Sequence, residues 1–148
     1  MPAMTDLTTD ECEDLLRSGV FGRLVMLAGP REVEVFPVNY VTVDDAVLAR
    51  TAAGTMLDRY ADGAVLLFEV DDVDYERGHG WSVVARGYGE RVSGVERTET
   101  ERHVPGPPRW LRREDDVWIR LRWDELSGRQ LGTGWDRAAE MPVRRAWR

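Results

Sequence analysis

Trp81–Val92 reads WSVVARGYGERV, and its reading decides the fold. Its β-branched and aromatic residues make a long strand, but Gly87 and Gly89 interrupt the run from inside. Glycines within a strand mark a bend, as needed where a sheet curls into a barrel. The same residues supply only the first two glycines of a GxGxxG pattern. They lie inside a strand, whereas a dinucleotide fingerprint joins a strand to a helix, so GYGERV is not one.

Short strands surround this one. FGRLVMLAG (21–29), VEVFPVNYVTV (33–43) and AVLART (46–51) are separated by the turns PRE and DD. Val33 and Val35 share one face; Glu34 and Phe36 take the other. Pro37 cannot donate to a ladder, so it marks a bulge or an edge position. In GAVLLFEV (63–70) the apolar run Val65–Phe68 suggests a strand buried on both faces. DDVDYERGHG (71–80) reads as an acidic loop. In DDVWIRLRWDEL (115–126), Ile119, Leu121 and Trp123 face one way; Trp118, Arg120 and Arg122 face the other. SGRQL adds a short last strand. VERTETER (95–102) reads as a weak helix, and VPGPPRW (104–110) as a loop.

The chain opens with a helix in LTTDECEDLL (7–16). Thr8 and Glu11 have capping-box spacing, Leu7, Cys12, Leu15 and Leu16 form its apolar stripe, and Gly19 stops it. Six or seven short strands with one N-terminal helix and one short inserted helix predict a mainly β protein, a small antiparallel barrel. A doubly wound parallel sheet would need long helices alternating with the strands. The barrel domain is expected over residues 1–132, with a flexible C-terminal tail over 133–148.

Composition narrows the function. The chain has 148 residues, which suits one domain, and a formal net charge of −7, which argues against nucleic acid as a partner. No apolar run approaches the ~18 residues of a membrane span, and the acidic N-terminus does not read as a signal peptide. With Cys12 as its one cysteine, the chain suits the cytoplasm. All basic residues are arginine, so a Schiff-base lysine is excluded. His79 and His103 read as surface or turn residues, no metal-ligand spacing occurs, and no GxSxG elbow surrounds Ser82. No catalytic residue is singled out.

RTAAGTMLDRY (50–60) joins a strand to a short helix. Thr55 and Asp58 have cap spacing, and Arg50 and Thr51 stand beside the helix start. Taken alone this is a capped turn; its free N–H groups also suit a phosphate.

In this order LTTDECEDLL, GRLVML, FPVNYV, LARTAAGTMLDRY, LLFEVDDVD, GWSVVARGYGERV and WIRLRWDELSGRQL resemble the pyridoxamine 5′-phosphate oxidase-like FMN-binding split-barrel family, over about residues 5–132. The resemblance implies a six-stranded antiparallel Greek-key split barrel and a homodimer with FMN at the subunit interface. It implies a phosphate held by Arg50, Thr51 and Thr55, and an isoalloxazine ring along Val38, Asn39 and Tyr40. Trp81 and Ser82 would come from the neighbouring strand or the other subunit, and Arg129 is a weaker contact. Met56 stands in the cradle where many members carry lysine, which removes a point charge from the phosphate site. The expected function is that of an FMN-dependent oxidoreductase acting on a small-molecule substrate. The alternatives are a reductase using the deazaflavin F420 and a non-catalytic flavin- or haem-binding module.

Overall fold

The computed structural model describes residues 4–103, 106 and 115–132. The elements are β1 (Met4–Asp6), α1 (Thr9–Ser18), β2 (Phe21–Gly29), β3 (Glu32–Val43), β4 (Ala46–Ala52), α2 (Met56–Tyr60), β5 (Val65–Asp74), β6 (His79–Arg91), α3 (Gly94–Glu101) and β7 (Asp116–Leu131). The sheet order is β1-β7-β4-β3-β2-β5-β6, and β6 pairs again with β7. Strands β2 to β7 therefore close into an antiparallel six-strand ring, with β1 attached to the end of β7. This is the split barrel expected from the sequence.

Closure depends on Gly87 of β6, and the seating of the end of α2 on Gly89. The β6–β7 register shifts between Arg86 and Gly87. A Cβ at Gly87 would overlap the Arg122 carbonyl oxygen, and one at Gly89 the Ala61 carbonyl oxygen. Only glycine lets the backbones approach this closely.

The barrel interior is filled from alternate positions of every strand of the ring. Leu24, Tyr40, Val47, Leu66, Phe68, Val83, Ile119 and Leu121 pack with Cys12, Leu15 and Leu16 of α1 and Leu57 of α2. Thr8 caps α1, accepting from the Glu11 N–H at 3.2 Å. Gly19 ends α1 but is extended (φ −84), not left-handed. Its missing Cβ instead makes room for the Tyr40 hydroxyl, which donates to the Leu16 carbonyl at 2.6 Å. A smaller cluster of Val41, Leu48, Val92 and Trp118 lies on the outer face of β3, β4 and β7. Helix α3 buries none of its residues and is tied down by charge. Glu96 pairs with Arg120, which also donates to Glu90 at 2.9 Å, and Arg97 reaches Asp116.

Several expectations need correction. Val65–Phe68 is not buried on both faces: Leu66 and Phe68 point inward, Leu67 is half-buried and Val65 is exposed, because none of the described residues covers that outer face. The acidic run is mostly strand, since β5 pairs with β6 as far as Asp74 opposite His79. The turn spans only 75–78, where Asp74 Oδ1 accepts from the N–H groups of Glu76 and Arg77 and Gly78 has φ +66. SGRQL continues β7 rather than forming a new strand. His79 is buried. Pro37 lies opposite Arg23 of β2, beyond the β4 pairing that begins at Tyr40, so it holds a local edge position. The sequence reading missed β1, which is too short to show a pattern. The expected loop around 104–110 lies almost wholly, and the C-terminal tail wholly, outside the described residues. Among the described residues no helix is long and apolar enough to cross a membrane.

The closure geometry makes a prediction. Gly87→Ala is expected to lower unfolding free energy by about 1–3 kcal/mol through forced overlap. Gly29→Ala, where a Cβ meets nothing within 4 Å, is the control and is expected to be near neutral. Urea unfolding of both variants checks this; equal stabilities would show that β6 and β7 can separate at no cost.

Candidate functional site

The pleat sorts the residues singled out from the sequence. Val38, Tyr40 and Trp81 point into the barrel and are buried in its core. Tyr40 packs on Phe68 with ring centroids 4.6 Å apart, so its side chain is not offered to a ligand. These three residues present only backbone to the outside. Asn39, Arg50 and Ser82 point outward. Tyr40 pairs with Ala49, so Asn39 and Arg50 are the next neighbours along β3 and β4, and Asn39 pairs with Phe21 on its other side. Arg50 in turn pairs with Trp118. A single outward row thus runs Trp118, Arg50, Asn39, Phe21.

Ser82 lies opposite Asp71 on β5. Three strand steps separate β6 from β3, about 14 Å. The fold does not bring Ser82 to Asn39 within one chain.

Asn39 is half-buried, and its Oδ1 is buried without a hydrogen-bond partner among the described residues. An acceptor in that condition costs stability until a donor reaches it. Beside it the outer face is apolar: Val25 pairs with Val35 and Leu67, and Leu27 with Val33. Leu27, Val33 and Val35 are 69%, 60% and 54% exposed. Arg23 crosses this strip, donating to Glu69 at 2.7 Å and Asp71 at 2.9 Å. Burial, then the nearby Asp71, lifts the Glu69 carboxyl above its ordinary value despite Arg23.

The strand-to-helix turn is built more tightly than its sequence shows. The Thr51 and Thr55 hydroxyls lie 3.1 Å apart, and Thr55 donates to the Ala52 carbonyl at 2.9 Å. The Asp58 carboxylate occupies the turn, accepting from the Gly54 N–H at 2.7 Å, while Thr55 accepts from the Asp58 N–H. Asp58 is in turn paired with Arg91 at 2.9 Å. Met56 packs against the core cluster.

Arg50 donates to Asp116 at 2.6 Å and lies over the Trp118 ring, 5.7 Å from its centroid. Arg97 approaches Asp116 at 3.1 Å and covers the same ring at 4.8 Å. Burial pushes the Asp116 carboxyl up, but hydrogen bonds and charge from Arg50 and Arg97 outweigh it and hold the pKa below the usual carboxylate value. Next to this pair is a cavity of about 400 Å³, its wall formed in part by Arg91, Ser93, Gly94, Arg97, Asp116 and Trp118. The roles of Asp58, Arg91, Arg97 and Asp116 escaped the sequence reading. The Thr-x-x-Asp cap hinted at Asp58, but no local signal joins Asp116 to arginines 19 and 66 residues away. Arg129 lies on β7 opposite Ser82, on the far side from Asn39.

A closed six-strand ring with a capped N-terminal helix and an outward polar row beside an apolar strip defines a small split-barrel protein. The chain belongs to the pyridoxamine 5′-phosphate oxidase family, whose model matches residues 8–130. It is 30% identical over 130 residues to an uncharacterized protein of Mycobacterium tuberculosis, covering 84% of each chain. The FAD binding protein from Mycobacterium smegmatis superposes with a TM-score of 0.71 at 34% identity, over 86% of this chain and 98% of that one. A conserved protein of unknown function from Corynebacterium diphtheriae gives 0.69 at 30% identity, over 85% and 96%.

Asp116 supplies a pH test. Because its folded pKa lies below the unfolded value of about 3.9, its contribution is complete above that pH and fades as pH falls through the folded pKa. Asp116→Asn is expected to cost on the order of 2 kcal/mol at pH 7. The difference from wild type is expected to shrink below about pH 4. Urea unfolding at pH 7 and pH 3 measures it; a gap that is the same at both would remove the ionic role.

Proposed function

We propose that the chain is a flavin-binding protein that works as a flavin-dependent oxidoreductase, with the ring held on the outward row beside the apolar strip. The observation that carries this reading is the buried, unpartnered Oδ1 of Asn39 at the edge of an exposed apolar face. A flavin ring offers what that site lacks: a planar apolar body with an N–H on its polar edge. The match to an FAD binding protein at 34% identity supports the same reading.

In this assignment the backbones of Val38 and Tyr40 flank the ring, and Asn39 accepts from its polar edge and fixes its orientation. Arg50, held by Asp116, contributes positive charge that favours an anionic ring. Thr51 and Thr55 present hydroxyls toward the phosphate end. Met56 supplies no charge there, and Asp58 adds a negative one that Arg91 balances. A bound flavin supplies hydride and electron transfer; no protein nucleophile is required.

The proposed assembly is a homodimer formed through the Val25, Leu27, Val33, Val35 strip, since exposed apolar patches mark interaction surfaces. Pairing two chains this way would supply Ser82 and the backbone of Trp81 from the second copy, which answers the ~14 Å gap within one chain.

The test is binding followed by turnover. Riboflavin, FMN, FAD and F420 are titrated against the purified protein, with thermal unfolding as a second readout. A ligand at one hundred times its Kd is expected to stabilise by about 2.7 kcal/mol. Asn39→Ala is expected to weaken riboflavin, FMN and FAD alike, each about ten-fold. Unchanged affinities would move the ring elsewhere, and binding of F420 alone would replace the flavin. Oxidation of a reduced nicotinamide faster than by free flavin supports the enzyme; binding without turnover supports a carrier.

A further inference from the structure

The turn at Thr51–Asp58 is poorly suited to end a ligand in a phosphate monoester of charge near −2. Its Gly54 N–H is already taken by the Asp58 carboxylate, and Met56 brings no cation. The cationic groups lie one step further on. Asp58 is bridged to Arg91, and Arg91 forms part of the α3 cavity wall. Thr51 pairs with Val117, which also lines that cavity. The turn and the cavity are therefore contiguous along both β4–β7 and the Asp58–Arg91 pair.

The cavity wall holds one carboxylate, Asp116, already paired with Arg97, and otherwise more hydrogen-bond donors than acceptors. Arg91 and Arg97 carry guanidinium groups, and the α3 N-terminus begins there at Ser93 and Gly94. Trp118 belongs to the same wall; it is 1% exposed, and its buried Nε1–H has no acceptor among the described residues. Such a wall calls for an acceptor-rich, anionic ligand. A volume of about 400 Å³ is in the range of small-molecule sites, about 300–1,000 Å³.

We infer that the α3 cavity is the subsite for the second phosphate and nucleoside of a dinucleotide flavin, and that it makes the chain select FAD over FMN. This rests on the flavin reading above and deepens it. The first phosphate passes Thr51 and Thr55 as a singly charged diester, which tolerates Asp58 better than a dianion does. The second meets Arg91 and Arg97.

Binding of FAD, FMN, riboflavin, ADP and inorganic phosphate is measured by calorimetry on wild type, Arg97→Gln and Gly94→Leu. Gly94→Leu leaves every ion pair in place and adds a side chain where a Cβ meets nothing within 4 Å. In wild type FAD is expected to bind at least about ten-fold more tightly than FMN, the equivalent of one charge-assisted contact, and ADP is expected to displace FAD. Each variant is expected to weaken FAD about ten-fold while FMN changes by less than about two-fold. Equal FAD and FMN affinities in wild type, or variants that move both alike, overturn the inference and leave the flavin reading standing. Displacement of FAD by inorganic phosphate as effectively as by ADP overturns it in favour of a simple anion site. If riboflavin, FMN and FAD all fail to bind, the flavin reading falls and the inference with it.

Discussion

The fold depends on a close approach that side chains would forbid. At Gly87 the β6 backbone meets the Arg122 carbonyl of β7, where any Cβ would hold the two strands apart, and at Gly89 it meets the Ala61 carbonyl at the end of α2, where any Cβ would push that helix away. The shift in register between Arg86 and Gly87 bends β6 enough to pair with β5 on one edge and β7 on the other. With both edges paired the interior is a single packed core, and α1 and α2 complete it with Cys12, Leu15, Leu16 and Leu57. Everything that reads as a site lies outside that core or at its margin.

That separation divides what the sequence makes legible from what it hides. The barrel was readable because its cause is local: a strand with glycines inside it, short alternating strands and a capped first helix. Alternation also predicts correctly that Ile119 and Leu121 turn inward. The errors occur where a local pattern has more than one physical cause. An unbroken apolar run such as Val65–Phe68 signals burial on both faces, or burial on one face and an exposed apolar surface on the other. An acidic run reads as loop until a partner strand takes up its backbone, as His79–Ser82 does for Asp71–Asp74.

The candidate site was legible by position rather than by role. Asn39 and Arg50 stand in an outward row, and Thr51 and Thr55 in its adjoining turn. Tyr40 and Trp81 belong to the same motifs, but the pleat commits their side chains to the core. Arg50 shows the limit most clearly. As a residue in a sequence it is a free cation beside a turn; in the fold it shares Asp116 with Arg97 over the face of Trp118. A charge fixed this way acts through its field on a neighbouring ligand more than through a fork of its own donors.

The two ends of the site therefore impose different demands. In the proposed site the requirement around Asn39 is geometric: its Oδ1 is a buried acceptor beside an apolar surface, and a planar donor would satisfy it. Around Asp58 the requirement is electrostatic. A carboxylate already caps the turn, so an incoming anion must tolerate it, and the cost of like charges rises as water is excluded. Of the arginines that would offset this cost, Arg91 ends β6 and Arg97 belongs to α3, which has no buried apolar residue and stays in place through Arg97, Glu96 and Arg120. The helix that carries Arg97 is thus itself positioned by charge. Ionic strength weakens exposed pairs more than buried ones, and the Asp116 and Arg120 side chains that hold α3 are largely buried, so the α3 end keeps its order as salt rises, as does Asn39 on β3 within the ring.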